Sequence, residues 1–177
     1  YNIKIIDTLQ KLVVKGNYAE VFELQDSLFV TQKAVAISIM EKDSMYIHGD
    51  TILVTGKTDN RIIRNFNNVK IFKSDLQGKC DSIHTNQATG LTQMFRDPIL
   101  WSGKSQITGD TIQFLTHKIS NNLDSLKVLN NSFMVKNDTI DLTLFNQIKG
   151  RNIYSKFINN EINLMLVKGN AESLYYN

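Results

Sequence analysis

Apolar and polar positions alternate over short stretches, and the stretches are the length of strands. Runs rich in Val, Ile, Phe and Thr lie at Lys11–Val14, Ala34–Met40, Thr51–Thr55, Val69–Phe72, Gln106–Ile107, Thr111–Leu115, Leu126–Leu129, Phe133–Val135, Ile140–Phe145 and Ile162–Val167, separated by Gly, Asn and Asp-Ser. β-Branched and aromatic residues fit a pleated surface, and the separators are turn formers, so the pattern predicts an all-β chain. The best helical window, Asp26 to Lys42 with Asp26 or Ser27 as a cap, holds Leu28-Phe29-Val30-Thr31 and Val35-Ala36-Ile37-Ser38-Ile39. Those β-branched residues lose rotamer freedom in a helix, and the window reads as two strands with a turn. Alternation is incomplete: in Ile162–Val167 one face takes Ile162, Leu164 and Leu166, the other Asn163, Met165 and Val167. Strands with one wet face alternate more strictly, so some of these are covered on both sides.

Short motifs recur. Asp-Ser before an apolar residue occurs at Asp26, Asp43, Asp81 and Asp124, at intervals near one or two units of about 20 residues. Gly49-Asp50-Thr51-Ile52 returns as Gly109-Asp110-Thr111-Ile112 and, weakened, as Asn137-Asp138-Thr139-Ile140; Lys15-Gly16-Asn17 returns as Lys168-Gly169-Asn170. Such repetition marks stacked, solenoid-like architectures whose units bury their apolar faces only against neighbours. Gly-Asp-Thr-Ile reads as turn into strand, with Gly supplying positive φ. No Pro-rich, Ser/Gly-rich or charged linker divides the chain, so residues 1–177 read as one domain.

Composition narrows the class. Of the 177 residues, 42% are hydrophobic and 21% charged, the balance of an ordered chain. The net charge of +3 does not argue for nucleic acid. Cys80 is the only cysteine, which excludes an internal disulfide and multi-cysteine metal sites. There are 19 asparagines, several in pairs (Asn67-Asn68, Asn121-Asn122, Asn130-Asn131, Asn159-Asn160), which suit tight turns. The sequence starts at Tyr1 and not Met, which fits removal of a signal peptide or a trimmed chain.

Catalytic signatures are sparse. His48, His84 and His117 lie far apart, and Cys80, Asp81 and His84 with His48 form the one conceivable metal set, at a spacing that is not diagnostic. Gly103-Lys104-Ser105 lacks the upstream glycine of a phosphate loop. Asp50 and Asp110 would pair if their repeats stacked, as acids do in carbohydrate-active β-helices; the plainer reading makes them turn residues. No cofactor is expected.

Arg96-Asp97-Pro98-Ile99-Leu100-Trp101-Ser102-Gly103 followed by Gln106-Ile107-Thr108-Gly109-Asp110-Thr111-Ile112 resembles the OstA-like family. So do Asp43-Ser44-Met45-Tyr46-Ile47-His48-Gly49-Asp50-Thr51-Ile52 and Val167-Lys168-Gly169-Asn170-Ala171-Glu172-Ser173. These are periplasmic proteins of lipopolysaccharide transport and organic-solvent tolerance. The resemblance implies an elongated β-jellyroll, or folded-over β-taco, of stacked antiparallel strands. It also implies a hydrophobic interior that shelters acyl chains of lipopolysaccharide or a similar glycolipid on the way to the outer membrane. Partners implied are other transport components and further copies, joined end to end through open strand edges.

The expected function is therefore a non-enzymatic periplasmic carrier or bridge; the alternatives are a structural β-solenoid for assembly or adhesion, and a carbohydrate-active β-helix using Asp50 and Asp110. Alternation extended from Ile52 and Val54 places Phe72 or Ile71, and then Ile112, Phe114, Phe133, Val135, Leu142, Leu144, Leu164 and Leu166, on the groove face. A slip of one residue reverses every side chain. The edges open to partners are expected at Lys11–Val14 and Ile162–Val167.

Overall fold

The computed structural model describes residues 2–9, 11–39, 43–57, 60–117, 122–138, 141, 143–158 and 161–176. They form a single antiparallel sheet of fifteen strands, with one short 3-10 turn at Glu23–Gln25 and no α-helix among the described residues. The strands are β1 (Ile3–Asp7), β2 (Leu12–Gly16), β3 (Tyr18–Phe22), β4 (Ser27–Ile39), β5 (Ser44–Thr55), β6 (Ile62–Lys73), β7 (Leu76–Asn86) and β8 (Leu91–Phe95). They continue with β9 (Ile99–Ser102), β10 (Ser105–Thr108), β11 (Thr111–Thr116), β12 (Leu123–Asn137), β13 (Phe145–Ile158), β14 (Glu161–Lys168) and β15 (Glu172–Leu174).

The sheet is folded along a seam. Register jumps at residues 32–33 in β4, 49–50 in β5, 67–68 in β6 and 130–131 in β12, so each long strand pairs as two halves. The halves make two arms. The first arm holds β3, β8, β11, β14, the first halves of β4, β6 and β12 and the second halves of β5, β7 and β13. The second arm holds β1, β2, β9, β10, β15 and the complementary halves. Hence β7 pairs with β8 on one arm and β9 on the other, and β12 likewise with β11 and β10.

Two kinds of corner alternate along the seam. Gln32-Lys33, Asn67-Asn68, Arg96-Asp97, Asn130-Asn131 and Gly169-Asn170 each place two consecutive residues in the left-handed region, with φ between 48° and 76°. A left-handed residue with a Cβ costs about 1–2 kcal/mol, and asparagine is among the few that visit the region routinely. The intervening strands pass at Gly16-Asn17, Gly49-Asp50, Cys80-Asp81, Gly109-Asp110 and Gly150-Arg151, none of which has positive φ. Glycine is needed here for space. A Cβ on Gly16, Gly109 or Gly150 would lie 2.4, 2.5 or 2.4 Å from a Cγ1 of Val30, Val128 or Val167.

The second residue of these passing pairs then ties to the left-handed corner beside it. Asp110 N donates to Asn130 O at 3.1 Å, and Asn131 Nδ2 donates to the Asp110 carboxylate at 2.9 Å. Asn68 Nδ2 bonds Asp50 at 3.3 Å, and Arg96 pairs with Asp81 at 3.2 Å. This corrects the expectation that Gly49 and Gly109 supply positive φ, and places two of the asparagine pairs inside strands. The Asp26–Lys42 window is one strand, β4, bent at Gln32-Lys33; Met40, Glu41 and Lys42 lie outside the described residues.

The core lies between the arms. Ile47, Ile71, Leu100, Ile107 and Met134 of the second arm pack with Ile83, Met94, Ile112, Phe114, Leu126, Val128 and Ile153 of the first. Towards the N-terminus, Leu12, Val14, Ala34 and Ala36 pack with Val30, Ile52, Val54 and Ile63. Asn65 is fully buried in the inward row of the first arm, between Ile52 and Ile83.

Candidate functional site

Away from the seam the arms part, and their free rims enclose a cleft of about 920 Å³. Its depth is apolar. Leu100, Ile107 and Met134 come from the second arm; Phe114 and Leu126 from the first; Met45, Leu76, Leu123 and Phe157 line the mouth. Register explains the continuity: Ile5, Val14, Ala36, Ile47, Ile71, Gly78, Leu100, Ile107, Met134 and Ile148 succeed one another across the second arm as one cross-strand row. Gly78 is the notch in that row. A Cβ there would lie 3.1 Å from Met94 Cε, so the glycine admits the methionine from the opposite arm.

The rims differ in chemistry. The second-arm rim carries Lys11, Lys73, Lys104 and Lys136, with Asp75 as the one acid lining the cleft among the described residues. The first-arm rim is uncharged and polar, with Thr85, Asn86, Gln87 and Thr116. Thr85 and Thr92 share a hydroxyl–hydroxyl bond of 3.2 Å, and Gln87 Oε1 is buried without a hydrogen-bond partner. At the N-terminal end Arg61, beside the first arm, forms an ion pair with Asp7 at the end of β1, bridging the two arms.

The groove residues expected from alternation divide into two groups. Ile52, Val54, Ile112 and Phe114 are buried between the arms, and of these Phe114 lines the cleft. Five stand on the outer face, which corrects their assignment. Phe72 is 56% exposed while its neighbour Ile71 is buried. Phe133 and Val135 flank Met134, which takes the inward place. Leu164 and Leu166 are 57% and 48% exposed, while Met165 and Val167 pack on the core. A bulge at Lys156/Phe157 reverses the parity, so that Ile162 alone of the expected face turns into the cleft. Leu144 lies in the turn before β13, and Leu142 is outside the described residues.

The acids and the metal set do not assemble. Asp50 and Asp110 are four strands apart, roughly 19 Å at the usual strand spacing, and each is held by its own asparagine. The Cys80 thiol is buried, its pKa pushed up to about 12 by burial, and it donates to Ser82 O at 3.2 Å. His84 stands on the other face, edge-on between Phe66 and Phe95 at 6.2 and 5.0 Å. Burial, and then Arg64, hold its pKa below the usual imidazole value. No group of three or more metal-ligating side chains occurs among the described residues.

No family model and no curated protein matches the sequence. Among solved structures, the chain is similar to LptH, the LptA homologous periplasmic component of the conserved lipopolysaccharide transport device from Pseudomonas aeruginosa. The two are 10% identical over 95% of this chain and 96% of that one, with a TM-score of 0.37.

Proposed function

We propose that the chain is a non-enzymatic carrier that holds the acyl chains of a lipopolysaccharide-like amphiphile in the cleft between its arms. The observation that carries this is the apolar lining of the cleft, from its depth to Met45, Leu76, Leu123 and Phe157, beneath rims of lysines, hydroxyls and amides. Its 920 Å³ equals about 30 water-sized volumes, room for at least one chain of a dozen carbons. Each methylene withdrawn from water contributes about 0.8 kcal/mol, so ten give on the order of 8 kcal/mol before the cost of immobilising them. The motif resemblance to OstA-like proteins points the same way, and with it to a periplasmic setting.

The ends of the sheet support the idea of a bridge. Of the large apolar side chains exposed among the described residues, six fall between Ile6 and Leu24 and seven between Phe145 and Tyr175. The free edges are β1 and β3 at one end and β14 and β15 at the other, since β2, expected at the edge, is paired on both sides. Unpaired edge groups accept another strand, so further copies or other transport components would add there.

The reading is tested by titrating the purified chain with fluorescently labelled lipopolysaccharide. Leu76→Asp, at the cleft mouth, is expected to weaken binding about tenfold or more, and Phe72→Asp, on the outer face, by less than twofold. Absence of binding by the unmodified chain, or equal effects of the two changes, contradicts it.

A further inference from the structure

Away from its two ends, the chain exposes three large apolar side chains among the described residues, Ile39, Tyr46 and Phe72. Tyr46 and Phe72, 43% and 56% exposed, stand directly opposite each other on the outer face of the second arm. They open a cross-strand row that continues through Gln77, Trp101 and Gln106. Trp101 Nε1 donates to Gln106 Oε1 at 2.9 Å, which holds the indole against its neighbour strand and leaves the Gln106 amide nitrogen for a ligand. From Tyr46 to Trp101 the row spans three strand spacings, about 14 Å. The next outer row, about 7 Å nearer the corners, carries His48, Lys70 and Lys79 on β5, β6 and β7. Lys70 and Lys79 face each other, which is destabilising for like charges, and neither forms an ion pair among the described residues. The acids along the same strands are engaged elsewhere: Asp50 with Asn68, Asp81 with Arg96 and Asp75 with Lys73.

We propose that this outer face binds a linear glycan of β-linked sugar rings that bears carboxylates. A β-linked chain is extended, so successive rings can lie along a straight row. Their C–H-rich faces rest on Tyr46, Phe72 and Trp101, whose ring faces carry negative charge density and attract them. The glutamine amides meet hydroxyl and acetamido groups, and carboxylates projecting from the ring edges reach Lys70 and Lys79 as charge-assisted partners. Charge complementarity decides the class, because a neutral chain would leave the two facing lysines uncompensated. Paired strands fix the spacing of rings and cations. The site lies on the opposite side of the sheet from the cleft and does not depend on what the cleft holds.

Trp101 is the only tryptophan, so its fluorescence reads the site directly. The full chain is titrated with soluble peptidoglycan strands, which are β-linked amino sugars bearing carboxylates, and with chito-oligosaccharide, a similar chain without them. The unmodified protein is expected to bind the first saturably and the second about fivefold more weakly. K70Q/K79Q is expected to weaken the first about fivefold and to leave the second within twofold. Phe72→Ala is expected to weaken both about fivefold, and K127Q, on the outer face of the first arm, neither. No saturable change with the peptidoglycan strands, equal affinity for the two glycans, or no effect of K70Q/K79Q overturns the proposal. Tighter binding of single-stranded oligothymidylate, lost in the same variants, also overturns it and assigns the face to nucleic acid. Binding of labelled lipopolysaccharide is expected to stay within twofold in K70Q/K79Q; a parallel loss would make the face part of the carrier site and overturn its independence.

Discussion

Gly109 and Val128 show how a single missing methyl group shapes the molecule. The strand turns from one arm to the other at Gly109, and the Val128 side chain of the adjacent strand occupies the space a Cβ would take, 2.5 Å away. Its backbone lies outside the left-handed region, so the requirement is steric and not conformational. Gly109→Ala is expected to lower stability by about 1–3 kcal/mol, the usual range for overpacking, measured by urea unfolding. Adding Val128→Ala to it should cost less than the sum of the two single changes, because the second removes the clash of the first. Strict additivity would show that the seam is not packed as described. The left-handed corners next door obey the opposite rule: they need a backbone that asparagine tolerates, and Asn131 uses its side chain to hold Asp110 as well.

At the scale of elements, turns on the same rim are tied to one another. Asp43, before β5, accepts bonds from the Ser74 hydroxyl at 2.5 Å and the Ser74 amide at 3.0 Å, joining the β4–β5 and β6–β7 connections of the second arm. The Ser74 hydroxyl, then its amide and the Ser44 amide, hold the Asp43 carboxyl below its usual pKa. A carboxyl depressed in the folded state contributes stability above its unfolded value, near 3.9, and loses it as pH falls through the folded value. Asp43→Asn is therefore expected to lower the Tm at pH 7 and to flatten its decline between about pH 5 and 2. An unchanged acid limb would mean that the tie is not formed.

The same scale explains what the sequence made legible. Strand-forming runs are local, so β-branched clusters between turn formers located most of the strands. Which face points inward depends on features that alternation does not carry. The corners at Asn67-Asn68 and Asn130-Asn131 leave the period of two intact: Ile63, Asn65, Val69 and Ile71 face inward along β6 and Leu126, Val128, Ser132 and Met134 along β12, so Phe72 and Phe133 fall on the outer face. The bulge beside Phe157 does shift the phase, skipping one residue between Ile162 and Leu164, which turns Leu164 and Leu166 outward. The asparagine pairs were visible, but a corner within a strand and a hairpin turn use the same left-handed residues. The lysine rim was hidden for another reason: residues 73, 104 and 136 meet only once the strands between them stack.

For the whole molecule, the fold opens its apolar interior in one place. Two arms joined along a seam press their apolar rows together near the corners and separate at the rims, leaving a cleft that draws on strands from β4 to β14. Ends rich in exposed apolar side chains and unpaired edges would let such clefts be continued by a neighbour. The central claim is that the amphiphile lies between the arms and not on the outer sheet. Photo-crosslinking measures this directly: a benzophenone amino acid is placed at Leu76, Met134 or Phe157 in the cleft, and at Phe72, Phe133 or Leu164 outside it, and the chain is irradiated with lipopolysaccharide. The account predicts adducts from the first three positions and none from the second three. Adducts from the outer positions, with the cleft positions silent, would contradict it.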